Sequence, residues 1–385
     1  MRPEHPGARG APALLVAGLL VSALASAAGG APEDPEAARV PAARAALPGV
    51  FDRVDDGALA GVRSVASARA RGDALWRAQT AAVRARADFD DRPLYWSRLA
   101  SRAAFAADCA AALDCAAILD AFEWASRGAE DVAWSADAPL RILISGFDPF
   151  FLDRDIGQSN PSGLAAQALD GTVLEVDGQR AEVQAVVVPV RYGDFDEGRI
   201  EALLGPHLDD VDLLVTISMG RSDFDLERFP GRRRSAEAPG NRNVVTGASA
   251  TDPRVPRLDD MPLPGPEFVE FSLPAAAMTK VQTPYAVNDN RTVTTLERGT
   301  FDADSLAELA DQTAVRGGGG GYLSNEISFR TVRLARTRGL DLAVGHLHTP
   351  SIRGFDAEAL DAIVTQIRAI LEAAVPALEP RTRND

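Results

Sequence analysis

The chain has few basic residues for its size. In 385 residues, 40 Lys and Arg stand against 55 Asp and Glu, which gives a formal net charge of -15. Nucleic acids and anionic membrane surfaces repel an acidic protein, so we expect no nucleic-acid partner, whereas a peptide or small amide substrate is compatible with this charge. The sequence also lacks a Gly-Lys-Thr or Gly-Lys-Ser phosphate-binding motif, and its glycine run is not placed as in a dinucleotide fingerprint. We therefore expect no cofactor.

Long apolar runs are equally scarce. Residues 1–30 combine Arg2 and Arg9 with an uncharged apolar run at 13–24 and small residues at 25–28. This order is typical of a signal peptide and predicts an exported protein, periplasmic or secreted. An alanine-rich leader is the alternative interpretation. No later stretch of about 18 uninterrupted apolar residues occurs, so we do not expect an integral membrane protein.

Cysteine is limited to Cys109 and Cys115, six residues apart in an alanine-rich stretch. On an unbroken helix this separation gives a rise of ~9 Å, beyond the ~7 Å between Cα atoms that a disulfide tolerates. A disulfide therefore requires a break in the helix, which Asp114 could supply by capping a second helix. Two buried free thiols are the alternative. Neither cysteine is assigned a catalytic role.

Helical patterns dominate the part of the chain before residue 138. Residues 31–48 are rich in Ala, Pro and Glu and are interpreted as a flexible lead-in. Over 49–137, large apolar residues recur at roughly helical spacing, which predicts a helical appendage of several amphipathic helices. The recurring residues are Leu75, Trp76, Leu94, Trp96, Leu99, Phe105, Leu113, Ile118, Leu119, Phe122 and Trp124.

From residue 138 to 385, apolar runs alternate with helical segments. The runs have the composition of strands buried on both faces and lie at 141–145, 185–190, 212–217 and 341–345. The helical segments lie at 161–169, 195–204, 326–337 and 357–375. Residues 231–300 have the composition of long loops, with a short helical stretch at 274–281 and a possible strand at 285–295. This alternation predicts an α/β domain, a three-layer α/β/α sandwich with a mostly parallel central sheet.

Ligands of such a sheet bind at the carboxyl ends of its strands, and four residue clusters fall mostly at those positions. They are Gly146-Phe147-Asp148-Pro149-Phe150 with Asn160-Pro161-Ser162, Gly220-Arg221-Ser222 with Glu227-Arg228, the glycine run 317–321 with Tyr322-Leu323-Ser324-Asn325, and His348-Thr349-Pro350. Their order and composition resemble the pyroglutamyl peptidase I family. That family carries a nucleophilic cysteine at the position of Ser324.

The resemblance implies a catalytic triad in which Ser324 is the nucleophile, His348 the base and Glu227 the group that orients the imidazole. A hydroxyl on a turn that enters a helix is exposed, and the helix N-terminus favours a developing anion. The glycine run lets the backbone approach a carbonyl oxygen closely, as an oxyanion site requires, whereas a merely flexible loop is its alternative interpretation.

Six further residues are predicted to bind substrate: Phe147, Phe150, Asn160, Gly320, Gly321 and Tyr322. Phe147 and Phe150 could clamp a flat lactam ring, although two core phenylalanines are the ordinary interpretation. Asn160 could equally be a helix cap. The family's usual glycine pair after Phe150 is replaced by Phe151-Leu152, which affects recognition of pyroglutamate more than the fold.

Two functions remain open. The first is an exported omega-peptidase or amide hydrolase that removes a blocked N-terminal residue through Ser324, which must lose its proton to His348 during attack. The second is a catalytically inactive domain that binds peptides or a protein partner. His346 and His348 could contribute to a metal site with Asp148 or Glu227, but no further ligand has a recognisable spacing, so we predict none. A homo-oligomer remains possible.

Overall fold

Apolar strands form the centre of a seven-stranded sheet in the computed structural model, which describes residues 34–110, 113–136 and 138–381. The predicted signal peptide lies outside these residues. The twelve strands are β1 Leu140–Phe147, β2 Thr172–Val176, β3 Gln179–Val188, β4 Leu213–Arg221, β5 Phe224–Glu227, β6 Arg257–Leu258, β7 Met261–Pro262, β8 Val287–Asn290, β9 Thr292–Thr295, β10 Gly299–Asp302, β11 Ala314–Arg316 and β12 Ala343–Pro350.

The large sheet has the order β2-β3-β1-β4-β12-β5-β8. Its four central strands β3, β1, β4 and β12 are parallel, whereas β2 is antiparallel to β3 and β5 is antiparallel to β12. Because helices cover both faces, these central strands are apolar along most of their length. Two smaller sheets have the orders β10-β9-β11 and β6-β7. Strands β6 and β7 come from the segment predicted to be long loops, β9 falls within the possible strand predicted at 285–295, and β11 lies after that segment.

Helices flank the sheet, as the alternating pattern predicted. They are α1 Val40–Ala46, α2 Pro48–Phe51, α3 Val65–Arg84, α4 Arg92–Asp108, α5 Cys115–Ala125, α6 Pro161–Leu169, α7 Tyr192–Asp196, α8 Arg199–Leu204, α9 Ala275–Met278, α10 Leu323–Thr337 and α11 Ala357–Ala374, with 3-10 turns at Ala37–Arg39, Gly205–His207 and Val375–Ala377. Helix α6 packs on β1 and β3 with α3 and α11 beside it, and α10 packs on β4 and β12 beside α8. The α/β/α prediction is therefore confirmed.

The helices before β1 share the main hydrophobic core with the sheet. Trp76 on α3 and Phe122 on α5 are fully buried, and both belong to the same apolar cluster as the residues of β1 and β3. Gly72 allows α3 to lie this close to α5, because a Cβ there would lie 2.7 Å from the carbonyl oxygen of Phe122. The described residues form one compact unit.

The two cysteines form a disulfide, with their Cα atoms 6.2 Å apart. The helix breaks between them as that pairing requires, since α4 ends at Asp108 and α5 begins at Cys115. Asp114 caps α5 by accepting a hydrogen bond from the backbone N–H of Ala117 at 3.1 Å. The alternative of two free thiols is therefore wrong.

The described part of the lead-in, 34–48, differs from the flexible segment that was predicted. It contains α1, whose Val40 and Ala43 are buried against α4 and the loop residue Leu152. The carboxylate of Glu36 is also fully buried and pairs with Arg191 at 2.5 Å. A sequence rich in alanine and proline is compatible with either a flexible segment or the start of a helix. The helix is stabilised by contacts with residues far away in the sequence, which the local composition does not show.

Candidate active site

The carboxyl ends of β1, β4 and β12 meet at one edge of the sheet and bring three of the four sequence clusters together. A cavity of about 290 Å³ opens there. Its lining includes Ser324 and His348, together with Phe147, Phe150, Asn160, Gly320, Gly321 and Tyr322. All six predicted substrate-binding residues therefore lie on one cavity wall with the predicted nucleophile and base.

The geometry of antiparallel pairing places Glu227 beside His348. In the register of β5 and β12, His348 lies opposite Asp225, so Glu227 is its diagonal neighbour on the same face. The Nδ1 atom of His348 lies 2.5 Å from Oε1 of Glu227. Because a carboxylate accepts, the Nδ1–H donates and Nε2 is left as the acceptor, the form that a general base requires.

The Glu227 carboxylate is fully buried and has several other donors. Arg221 donates to Oε1 from Nη2 at 3.1 Å, and Asn290 donates to Oε2 at 2.6 Å. Burial raises the pKa of Glu227, while the charge of Arg221 and these hydrogen bonds to both oxygens oppose the rise and favour the carboxylate form. Burial, reinforced by the positive charge of Arg221, lowers the pKa of His348 to about 3, so its imidazole is neutral. Arg221 and Asn290 were not among the site residues predicted from the sequence.

Ser324 lies in the first turn of α10, which begins at Leu323. The N–H groups of a first helical turn have no intrahelical acceptor, so they and the helix dipole point positive charge at this position. The hydroxyl of Ser324 donates to the carbonyl oxygen of Gly319 at 3.1 Å. Oγ therefore points toward the glycine run, and within the described residues no hydrogen bond joins it to His348.

The glycine run is tightly packed, so it is not merely a flexible loop. A Cβ at Gly318 would lie 2.8 Å from Oε2 of Glu227, and one at Gly321 would lie 2.0 Å from the hydroxyl of Ser235. Gly320 has a φ of +87°, in the region that favours glycine. These glycines let the backbone pass between the Glu227 carboxylate and the start of α10.

Phe151 is a cavity residue that the sequence analysis did not identify. Its ring stacks on Tyr322 with centroids 6.3 Å apart, and it touches Phe150 at 4.6 Å. Its φ is +59°, a rare conformation for a bulky residue. The backbone thus has a conformation that glycine adopts more readily, while the side chain adds an aromatic wall to the cavity. The next residue, Leu152, is buried among the N-terminal helices.

Three of the residues predicted to bind substrate also make contacts that stabilise the fold. Phe147 is almost fully buried and stacks on Phe195 at 6.5 Å. Both polar atoms of the Asn160 side chain are engaged, since Oδ1 caps α6 at the N–H of Ser162 and Nδ2 donates to the carbonyl of Asp148. The Tyr322 hydroxyl donates to the carbonyl of Pro239 at 2.8 Å. Only the aromatic faces and backbone of these residues are open to a ligand.

Asp148 is held by cations from the N-terminal helical region. Arg98 on α4 donates to its Oδ1 at 3.0 Å, and Arg127, just after α5, lies 2.8 Å from its Oδ2. All three side chains are essentially excluded from solvent. Because Asp148 lies between Phe147 and Phe150, the helical region fixes the loop that forms one wall of the cavity.

The possible metal site does not form around His346. Its Nδ1 and Nε2 each lie 2.7 Å from a hydroxyl, of Thr216 and Ser218 respectively, so both ring nitrogens are occupied. Burial lowers the pKa of His346 well below its usual range. Among residues 34–110, 113–136 and 138–381, no group of three His, Cys, Asp or Glu side chains could hold a metal ion. The same residues contain no helix long and apolar enough to span a membrane.

Comparisons with known proteins give three findings. A family described as the PA0049 C-terminal domain matches residues 141–268 and 303–353. The chain is 27% identical to the uncharacterized protein PA0049 of Pseudomonas aeruginosa, over 74% of this chain and 69% of that protein. Among solved structures, two mutant pyrrolidone carboxyl peptidases from Pyrococcus furiosus are similar, each at 18% identity over 62% of this chain. Their TM-scores are 0.44 and 0.43, and 99% and 97% of those chains are covered.

Proposed function

We propose that this protein is an exported hydrolase of the pyroglutamyl peptidase type, which removes a blocked N-terminal residue such as pyroglutamate from a peptide or small amide. The observation that carries the proposal is the hydrogen bond between His348 and the buried Glu227, on the wall of a cavity that also exposes Ser324 at the start of α10. The four sequence clusters in family order support the same reaction.

In the proposed reaction, Oγ of Ser324 turns from Gly319 toward His348 and attacks the scissile carbonyl carbon. Nε2 of His348 accepts the hydroxyl proton as the new C–O bond forms, and Glu227 stabilises the resulting imidazolium. The imidazolium then donates this proton to the amine as the C–N bond breaks, which leaves an ester on Ser324. Water, deprotonated by His348, cleaves the ester and restores the hydroxyl.

The negative charge that develops on the carbonyl oxygen would be stabilised by the start of α10. Backbone N–H groups in the first turn are fixed before the substrate arrives, so they need no reorganisation during the reaction. The glycine run permits a carbonyl oxygen to approach them, because among the described residues no atom lies within 4 Å of the position that a Cβ would take at Gly320, which lines the cavity. We assign the oxyanion site to this turn.

The aromatic wall supports a flat, uncharged acyl group. Phe150, Phe151 and Tyr322 line the cavity, and a lactam ring can stack on such faces. Among the described lining residues the charged side chain is that of Arg221, a cation. A free N-terminal ammonium would lose its hydration there without gaining an acceptor of opposite charge. The cavity therefore favours a blocked N-terminus.

Export is part of the proposal. Residues 1–30 have the composition of a signal peptide. The disulfide between Cys109 and Cys115 supports the same location, because disulfides persist in oxidising compartments. Labelling of thiols in the protein recovered from cells, with and without prior reduction, tests this part. Complete labelling without reduction, in a protein that retains residues 1–30, would contradict export.

An inactive binding domain is the second candidate, and one observation favours it. The hydroxyl of Ser324 donates to Gly319 and not to the base, so the nucleophile is not activated in this arrangement. A thiolate would not need that hydrogen bond before attack, whereas a hydroxyl depends on it. In this second function the same cavity binds a blocked N-terminus and releases it unchanged.

The decisive experiment is hydrolysis of a fluorogenic pyroglutamyl amide by wild type, Ser324→Ala and Ser324→Cys. The matched control is Ser328→Ala, one turn later on α10, whose buried hydroxyl has no partner. The hydrolase proposal expects turnover by wild type and by the control, and a loss of about 10³-fold or more in Ser324→Ala. An inert wild type together with an active Ser324→Cys would establish the binding function instead.

A further inference from the structure

A second cavity of about 450 Å³ adjoins the first and has a different chemical character. The two cavities share four residues, Arg221, Ala236, Gly320 and Gly321. The first is lined by aromatic rings, whereas the second is lined by hydroxyl and charged side chains. We call the second cavity the threonine cleft, after Thr292, Thr294 and Thr300.

The β10-β9-β11 sheet builds one wall of this cleft. Thr292 and Thr294 share a face of β9 because alternate residues point the same way, while Val293 points into a small apolar core. In the strand register Thr300 lies opposite Thr294 on one side and Arg316 lies opposite it on the other. A row across the sheet is therefore formed by Thr300, Thr294 and Arg316. The hydroxyls of Thr294 and Thr300 lie 2.9 Å apart.

Arg316 is the unneutralised charge of the cleft. Arg221 also lines it, but that guanidinium is already bound to Glu227 and lies 3.4 Å from Asp225. Asp225, the acidic residue of the cleft, is thereby paired and also accepts from Asn288. Arg316 is exposed, and in the part of the chain that the structure describes its side chain has no hydrogen bond or ion pair.

The threonine face comes from a segment outside the family match. Thr292, Thr294 and Thr300 lie between 268 and 303, the stretch that the PA0049 C-terminal domain leaves unmatched, whereas Ser324, His348 and Arg316 lie within the matched part. The threonine wall of the cleft therefore lies outside the matched segments, whereas the other wall, with Arg316 and the glycine run, lies within them. A polar wall with a free cation, next to the shared residues Gly320 and Gly321, is suited to bind a portion of the substrate that the aromatic cavity does not hold.

We propose that the threonine cleft binds the leaving portion of the substrate, and that Arg316 pairs with a carboxylate on that portion. This inference rests on the proposed function, because it takes the acyl group to occupy the aromatic cavity. The substrates are then short, N-terminally blocked peptides with a carboxylate close to the scissile bond. Guanidinium groups bind carboxylates through paired N–H donors. The Thr292 hydroxyl donates to Asp302, and one of the Thr294 and Thr300 hydroxyls donates to the other, so this pair has one hydroxyl donor left for the peptide backbone.

Binding to Ser324→Ala, measured by calorimetry, tests the inference without turnover. The probes are pyroglutamyl alanine, its C-terminal amide, and pyroglutamyl glutamic acid α-amide, so that a terminal carboxylate, no carboxylate and a side-chain carboxylate are compared. We expect each acidic probe whose carboxylate reaches Arg316 to bind about tenfold more tightly than the neutral amide, a preference that weakens with added salt. Comparison of pyroglutamyl alanine with pyroglutamyl glutamic acid α-amide then shows whether Arg316 binds a terminal or a side-chain carboxylate.

Variants at Arg316 provide the second arm. Arg316→Gln in the Ser324→Ala background should remove the preference for the acid and leave binding of the amide unchanged, and Arg316→Lys should restore part of it. Arg353→Gln is the matched control, because Arg353 is also exposed but lines neither cavity. Equal affinity for all three probes, no binding of any, or a preference that survives Arg316→Gln would overturn the inference.

The two proposals fail separately. If wild type hydrolyses the neutral amide but shows no preference for acids, the hydrolase function stands and the role of the threonine cleft is refuted. If wild type hydrolyses none of the probes while acids bind through Arg316, the cleft is confirmed as a binding site and the hydrolase function is refuted.

Discussion

Removal of the negative charge of Asp148 should both destabilise the protein and disorder the cavity. The substitution Asp148→Asn preserves shape but leaves Arg98 and Arg127 facing a neutral amide in a site that excludes solvent. Breaking a buried ion pair by removing one partner typically costs ~3–5 kcal/mol. Each arginine keeps another acceptor, the Ser126 carbonyl for Arg98 and Glu123 for Arg127, so we expect the lower end of that range.

The expected shift in Tm follows from the size of the chain. An unfolding entropy of ~2.1 cal/mol/K per residue gives ~0.8 kcal/mol/K for 385 residues. A loss of ~3 kcal/mol therefore lowers the Tm by ~4 °C, measurable by differential scanning calorimetry. The control Asp260→Asn breaks a surface ion pair with Arg257. Because the Asp260 side chain is fully exposed, this control should leave the Tm unchanged. If Asp148→Asn melts within about 1 °C of wild type, the buried pairs do not hold the loop.

Three further predictions concern single positions. Phe151→Gly should be more stable than Phe151→Ala by ~1 kcal/mol in chemical denaturation, because both remove the ring but only glycine tolerates a φ of +59° without strain; the opposite order would contradict this. Gly318→Ala should displace Glu227 and reduce turnover by at least ~10-fold. The control Gly49→Ala should keep the turnover of wild type, because no described atom lies within 4 Å of its added Cβ, and equal activities of the two variants would refute the close packing at Gly318. Burial, with the neighbouring charge of Asp90, raises the pKa of Asp91 to about 7, so the folded state holds a proton that the unfolded state releases near pH 4. Wild type should therefore lose stability relative to Asp91→Asn as the pH rises from 4 to 7, measured as the difference in Tm, and a flat difference would show that Asp91 stays ionised.

The main layers of the fold were predictable because their signals are local. Helix α6 has the predicted bounds, since Asn160 and Pro161 mark its start in the sequence. The four buried strands were found from their apolar runs, each within a few residues at its ends apart from β3, which begins earlier. The edge strand β5 was not found, because four residues that alternate with Asp and Glu give no apolar run. In contrast, β8 and β9 both fall within the possible strand predicted at 285–295.

The candidate site was predictable where its residues lie in recognisable clusters. The sequence placed His348, Glu227 and Ser324 at neighbouring positions, and the 2.5 Å contact between the first two agrees with that prediction, whereas no described hydrogen bond joins Ser324 to His348. Asn290 could not be found in the same way. It lies within the possible strand predicted at 285–295, but its role depends on the pairing of β5 with β8, which no local pattern encodes.

The anchoring of Asp148 by Arg98 and Arg127 has a consequence for fragment design. A shortened protein that starts at β1 would retain every residue proposed to touch substrate, yet it would carry an uncompensated carboxylate at the base of its aromatic wall. Such a fragment should fail to bind ligand even where its sheet forms. A fragment that binds ligand should therefore include α4 and the turn after α5. Neutralising residue 148 would not by itself restore binding to a shorter fragment, because Leu152 would also lose the apolar residues of the N-terminal helices that it packs against.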